Sequence, residues 1–198
     1  MRKLRISIFI SIILSFSACK VGEQVTQMVN FTKCQFRVSS VNNITLAGVN
    51  VQKIQNFNQI NTMDVINLTT AFASGTLPLS MTVNVDVKNP NSSQAALNKF
   101  EWIFLIDQTE LINGVVNQKV QVAPNGGIST VPLHVNVDLK KVLNSQSANS
   151  LINLALNLVD ASNKPSRISL KLKPSVMIGN YPLNYPGYIT IQKEFHSQ

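Results

Sequence analysis

The chain has 198 residues, enough for one domain with its own apolar core. Apolar residues make up 44% and charged residues only 13%, which excludes a highly charged disordered chain. The net charge is +8, and a basic balance points to nucleic acid or an anionic membrane, a choice that the compartment decides.

The amino terminus carries the strongest local signal. Met1-Arg2-Lys3-Leu4-Arg5 is a basic start, and Ile6 to Ala18 is apolar apart from serines. As a helix this run measures about 20 Å, too short for a hydrocarbon core of about 30 Å. It fits the apolar region of a secretory signal. Ser17 and Ala18 are small and stand before Cys19, after which the chain turns polar. The pattern resembles the bacterial lipoprotein signal, with Phe16 where leucine is usual. The resemblance implies that Cys19 takes a diacylglycerol and that cleavage precedes it. An ordinary signal peptide with a chance cysteine is the alternative. Lys20 follows in place of the aspartate that retains a lipoprotein at the inner membrane, so the resemblance places the protein at the outer membrane of a bacterial envelope. Acyl chains on Cys19 then make membrane lipid a partner. Nucleic acid is not expected for an exported, anchored chain.

The expected organisation is a signal peptide over 1–18, a lipidated tether over 19–30 and a single domain over 31–198. Residues 20–30 are mostly polar and read as a short tether. Cys34, Phe36 and Val38 alternate with Gln35, Arg37 and Ser39, so Cys34 reads as a small buried hydrophobe, with an intermolecular disulfide as the alternative. In 44–54, Ile44 and Leu46 precede Gly48, which would mark a bulge before Val49 and Val51. Residues 62–68 predict one or two helical turns capped by Thr62.

Residues 79–87 give the clearest strand: Leu79, Met81, Val83, Val85 and Val87 face one way and polar residues the other. Asn89-Pro90-Asn91-Ser92 ends it, because Pro90 cannot donate to a ladder. Phe100, Trp102, Phe104 and Ile106 share a face of 99–107, with Ile103 and Leu105 opposite, which predicts a central strand covered on both sides. Val115–Val122 and Ile128–Val137 flank Pro124-Asn125-Gly126-Gly127, a strong hairpin signal. Val131, Leu133, Val135 and Val137 point inward. The period then changes: Leu139, Val142, Leu143, Leu151, Leu154, Ala155 and Leu158 recur at helical spacing, with Asp138 as the N-cap. Ile168, Leu170 and Leu172 make another strand, and Tyr188 to Phe195 the last. Seven or eight short strands with a helical insertion near 138–158 predict an antiparallel β-sandwich.

Three stretches carry a family resemblance: LPLSMTVNVDVKNPN (77–91), LNKFEWIFLIDQTELINGVV (97–116) and VAPNGGISTVPLHVNVDLKKVL (122–143). An alternating strand ending in Asn89-Pro90, an aromatic strand, a glycine-containing turn and a strand rising to a helix follow one another, with Gly114 standing after the strand pair. This order resembles the late-embryogenesis-abundant type 2 family, also called the water-stress and hypersensitive-response domain, over about residues 36–173. The resemblance implies an immunoglobulin- or fibronectin-like sandwich with a helix and no enzyme activity. Plant members of that family are linked to desiccation and stress protection.

Catalytic and metal chemistry is sparse. His134 lies on the outer face of its strand and His196 near the end, so no short-range cluster of metal ligands forms. No nucleophile elbow and no phosphate-cradling glycine loop is present. No cofactor, metal or catalytic residue is expected. Lys164, Arg167, Lys171 and Lys173 form a basic stripe. It is either a solvated face, an edge strand guarded by lysines, or a contact with anionic lipid headgroups. Tyr181, Tyr185 and Tyr188 are either a platform for a carbohydrate or peptide, or an ordered loop. Asn30, Asn43, Asn67 and Asn91 head glycosylation sequons, which an Asn-rich chain acquires by chance. The leading expectation is a non-catalytic envelope lipoprotein acting as an interaction or accessory module, with an envelope protein as partner. A stress-protective domain binding clients or membranes is the alternative, and a hydrolase with an unrecognised site the third.

Overall fold

The computed structural model describes residues 21–54, 59–106, 108–142, 167–178 and 181–194. The predicted signal, Cys19, Lys164, His196 and the helical pattern beyond Val142 lie outside them.

The body is an antiparallel β-sandwich. Helix α1 (21–32) leads into β1 (Gln35–Leu46) and β2 (Val49–Asn50). A 3-10 turn (Val51–Lys53) and helix α2 (Thr62–Ala73) precede β3 (Pro78–Lys88). Then come β4 (Ala95–Leu97), β5 (Lys99–Ile106), β6 (Thr109–Val116), β7 (Val120–Val122) and β8 (Ile128–Asp138). A short α3 (Leu139–Val142) follows, and β9 (Arg167–Ile178), β10 (Tyr181–Asn184) and β11 (Ile189–Glu194) complete the described chain. The count exceeds the seven or eight strands expected because β2, β4 and β7 are only two or three residues long.

One sheet has the order β2-β1-β3-β8. The other has the order β10-β9-β5-β6, with β11 also paired to β9, and β4 and β7 form a separate ribbon. β3 and β8 pair without a register break from Pro78↔Asp138 to Lys88↔Ile128. Their strict alternation explains this: every second side chain is apolar, so one register alone buries both sets. Leu79, Met81, Val83, Val85 and Val87 of β3, and Val131, Leu133, Val135 and Val137 of β8, are buried as expected. Phe100, Trp102 and Phe104 of β5 and Leu170 and Leu172 of β9 meet them from the second sheet. At the margins β1 approaches β11 and β6 approaches β8.

Four local expectations need correction. The run taken as a tether is helical from residue 21, with Met28 and Phe31 buried. The Phe31 ring meets Phe36 edge-on at 5.5 Å, so two side chains are enough to dock a polar helix. Gly48 does not mark a bulge. Ala47 and Gly48, at φ 48° and 81°, make a two-residue turn closed by the Leu46↔Val49 pair. The irregularities of β1 fall between Val38 and Ser40 and between Asn42 and Thr45 instead. Each adds one residue, so Val41 faces the core between them and the even residues do so on either side.

α2 spans Thr62–Ala73, and its cap is Asn61 rather than Thr62: Asn61 Oδ1 accepts from Asp64 N at 2.8 Å. The turn at Pro124–Gly127 forms, with Asn125 and Gly126 at positive φ, but it joins different sheets, since β7 pairs with β4 and β8 with β3. Residues 89–91 take its backbone bonds: Asn125 N donates to Asn91 O, Gly126 N to Asn89 O, and Asn89 N to Gly127 O. Asp138 caps α3 as expected, its Oδ1 accepting from Lys140 N at 3.2 Å and from Leu77 N at 2.8 Å.

Asn89 is the pivot of the crossing between sheets. It is fully buried, a costly place for an amide unless every polar atom is paired. Its Nδ2 donates to Ser93 O and Val122 O, and its Oδ1 accepts from the backbone and side-chain nitrogens of Asn91. Asn91 Nδ2 also donates to Asn30 O, and Asn30 Nδ2 to Gln94 O, which ties the end of α1 to the same junction. Both sequon amides are thereby engaged in folding contacts.

Candidate functional site

The outer face of the second sheet brings together two groups of residues that the sequence reading kept apart. β9 is an interior strand, bonded to β5 on one side and to β10 and β11 on the other, which overturns the edge-guard reading of its lysines. Leu170, Leu172 and Val176 fill the core, while Lys171 and Lys173 stand half-buried on the opposite face. Lys173 lies opposite Glu101 of β5, and Lys171 lies between Ile103 of β5 and Thr190 of β11. The Lys173 Nζ sits 5.7 Å from the centre of the Tyr188 ring, within reach of a cation–π contact. Arg167 opens β9 opposite Glu194.

The other two tyrosines lie on β10 and in the turn after it. Tyr181 is 80% exposed and opens β10 opposite Ile178. Tyr185 is half-buried, and its backbone N donates to Pro174 O at 2.9 Å. All four residues of β10 are exposed, but Tyr181 and Leu183 pair with Ile178 and Val176 and so lie on the side of β9 that carries Leu170 and Leu172, opposite Lys171 and Lys173. Lys171 and Lys173 next to Tyr188 form the amphipathic patch. Its chemistry suits a headgroup–acyl boundary, where tyrosine rings and lysine stems each place a polar tip in water.

The remaining sequence candidates are not drawn into this face. Cys34 is buried and free, and burial pushes its thiol up to about 11, the state of an inert hydrophobe. His134 is exposed and meets Thr82 Oγ1 through Nδ1 at 3.3 Å. No group of three or more His, Cys, Asp or Glu that could hold a metal occurs among the described residues. No described helix is long and apolar enough to cross a membrane.

Two features were not visible in the sequence reading. On the outer face of the first sheet, Asp86 accepts from Thr130 Oγ1 at 2.8 Å and pairs with Arg37 at 3.0 Å. The Thr130 hydroxyl and then the Arg37 guanidinium hold its carboxyl below the ordinary aspartate range. This group borders a groove of about 370 Å³ lined by Phe36, Arg37, Lys88 and Ile128. A second groove, of about 340 Å³, opens where β6 and β8 approach, with Trp102 and Leu133 against it. The indole lies over Gly114, where an added Cβ would come within 2.4 Å of the ring. Trp102↔Gly114 is a cross-strand pair, so the glycine is what lets the ring reach the margin. The spacing of Trp102 and Gly114 alone carries no signal for this, because their pairing depends on the β5–β6 register.

No family model and no curated protein matches the chain. Among solved structures, the chain is similar to a protein from Archaeoglobus fulgidus. That likeness has 14% identity and a TM-score of 0.35, covering 61% of this chain and 86% of the other. It is also similar to the solution structure of a protein proposed to be of the late embryogenesis abundant kind. There the identity is 12% and the TM-score 0.35, with 96% of this chain and 87% of the other covered.

Proposed function

We propose that the protein is a non-catalytic lipoprotein of a bacterial envelope, anchored through acylated Cys19 and acting as an interaction module on a membrane surface, with the outer membrane as its site. The observation that carries this reading is the shared face of Lys171, Lys173 and Tyr188. Such a face adds a weak electrostatic and interfacial contact to the lipid anchor, about 1 kcal/mol per lysine near an anionic surface. The acyl chains supply the larger share, at about 0.8 kcal/mol per buried methylene.

Labelled fatty acid should enter the protein and be lost in Cys19→Ala. A water-soluble, unlabelled mature product would refute the anchoring. Flotation with anionic vesicles should weaken in a Lys171→Glu/Lys173→Glu variant and with added salt. Unchanged, salt-insensitive flotation would remove the role of the face.

A second reading is favoured by the order of motifs over 77–143: a stress-protective domain of the late-embryogenesis-abundant type 2 kind, binding unfolding clients or membranes during drying. Such a domain should preserve a test enzyme through drying at low molar ratio. An accessory module should instead co-purify with one envelope partner after crosslinking in intact cells.

A further inference from the structure

The groove between β6 and β8 is a site of a different chemistry from the lysine–tyrosine face. Trp102, Val115 and Val116 contribute apolar surface, and Asn117, Gln118 and His134 line it as exposed polar groups. Its volume of about 340 Å³ lies within the range of small-ligand pockets. Trp102 is only 5% exposed, and it lines the groove over Gly114. The amides of Asn117 and Gln118 each offer donors and an acceptor, and His134 keeps Nε2 free of its Nδ1 contact with Thr82.

We infer that this groove binds a neutral saccharide. Among the described residues no Asp, Glu, Lys or Arg side chain lines it, which gives neither an anion nor a cation a partner there. Hydroxyl groups, which donate and accept at once, match the two amides, and the C–H surface of a sugar ring matches Val115 and Val116. An added peptide strand is the poorer fit, because Pro132 sits in β8, the margin strand beside the groove, and gives no N–H to a ladder.

The test uses the full chain with cellobiose, maltotriose and diacetylchitobiose, and a neutral Val/Thr hexapeptide for comparison. Trp102 is the single tryptophan, so its emission reports the groove directly. At least one saccharide should give a saturable emission change, insensitive to salt. Calorimetry should show binding about tenfold weaker in Asn117→Ala/Gln118→Ala, a surface variant that leaves the core intact, and weaker again in Trp102→Phe. The inference is overturned if none of the three saccharides perturbs the emission, if the double variant binds as tightly as the parent, or if the hexapeptide alone binds. The lysine–tyrosine face is a separate surface, so substitutions at Lys171 and Lys173 should leave saccharide binding unchanged whatever they do to vesicles.

Discussion

Trp102 and Gly114 show how far one absent methyl reaches. A Cβ at residue 114 would stand 2.4 Å from the indole, and the ring is buried, so it cannot swing clear. Gly114→Ala should destabilise the fold by about 1–3 kcal/mol in denaturant titration. Combining it with Trp102→Phe should recover part of the loss; no recovery would mean that the glycine serves its backbone and not the ring. Asp86 is a pH-sensitive counterpart on the other sheet. Its folded carboxyl titrates below the ordinary 3.8, so the ionised form is the one the fold favours. Its contribution is present above that value and fades as pH falls through it toward the folded pKa. Asp86→Asn should therefore lower stability at neutral pH, and the gap from the parent should close below about pH 4. A gap that is constant across the acid range would place the effect in packing.

Elements were legible where one periodicity held along their whole length. β3 and β8 alternate without interruption and bury the residues expected of them. β1 misleads because two irregularities flip its faces and restore them, which leaves no simple period to read. The turn at Pro124–Gly127 was recognisable from Asn125-Gly126, but its partners were not, since the backbone bonds come from residues 89–91 far back in the chain. Asn89→Asp tests that junction with almost no change of shape. Aspartate cannot donate, so Ser93 O and Val122 O lose their partner and a charge is left in a dry site. A loss of about 2 kcal/mol or more is expected by thermal unfolding.

Helix α1 was read as a tether because only Met28 and Phe31 mark its buried side within a polar run. Phe31→Ala should cost about 3–5 kcal/mol, whereas the exposed Val29→Ala should cost a few tenths. Equal, small effects would return the segment to the status of a tether.

At the scale of the whole molecule, two sheets enclose one core and leave two outer faces of different character. The outer face of β9 carries Lys171 and Lys173 with Tyr188 beside Lys173; that of β1, β3 and β8 carries the Asp86 network and His134. The sequence named the lysines and the tyrosines separately, because only the pairing of β9 with β11 makes Lys173 and Tyr188 neighbours. The groove between β6 and β8 was illegible for the same reason. It lies between margin strands of different sheets, and no local pattern encodes which margins meet.

The proposal of a lipid-held sandwich whose basic, aromatic face adjoins a bilayer stands or falls on the chemistry at Cys19. Intact-mass measurement of the protein extracted from membranes should give a chain beginning at Cys19 with glyceryl-linked acyl groups. A mass that retains residues 1–18, or that leaves a bare thiol at Cys19, would contradict the account.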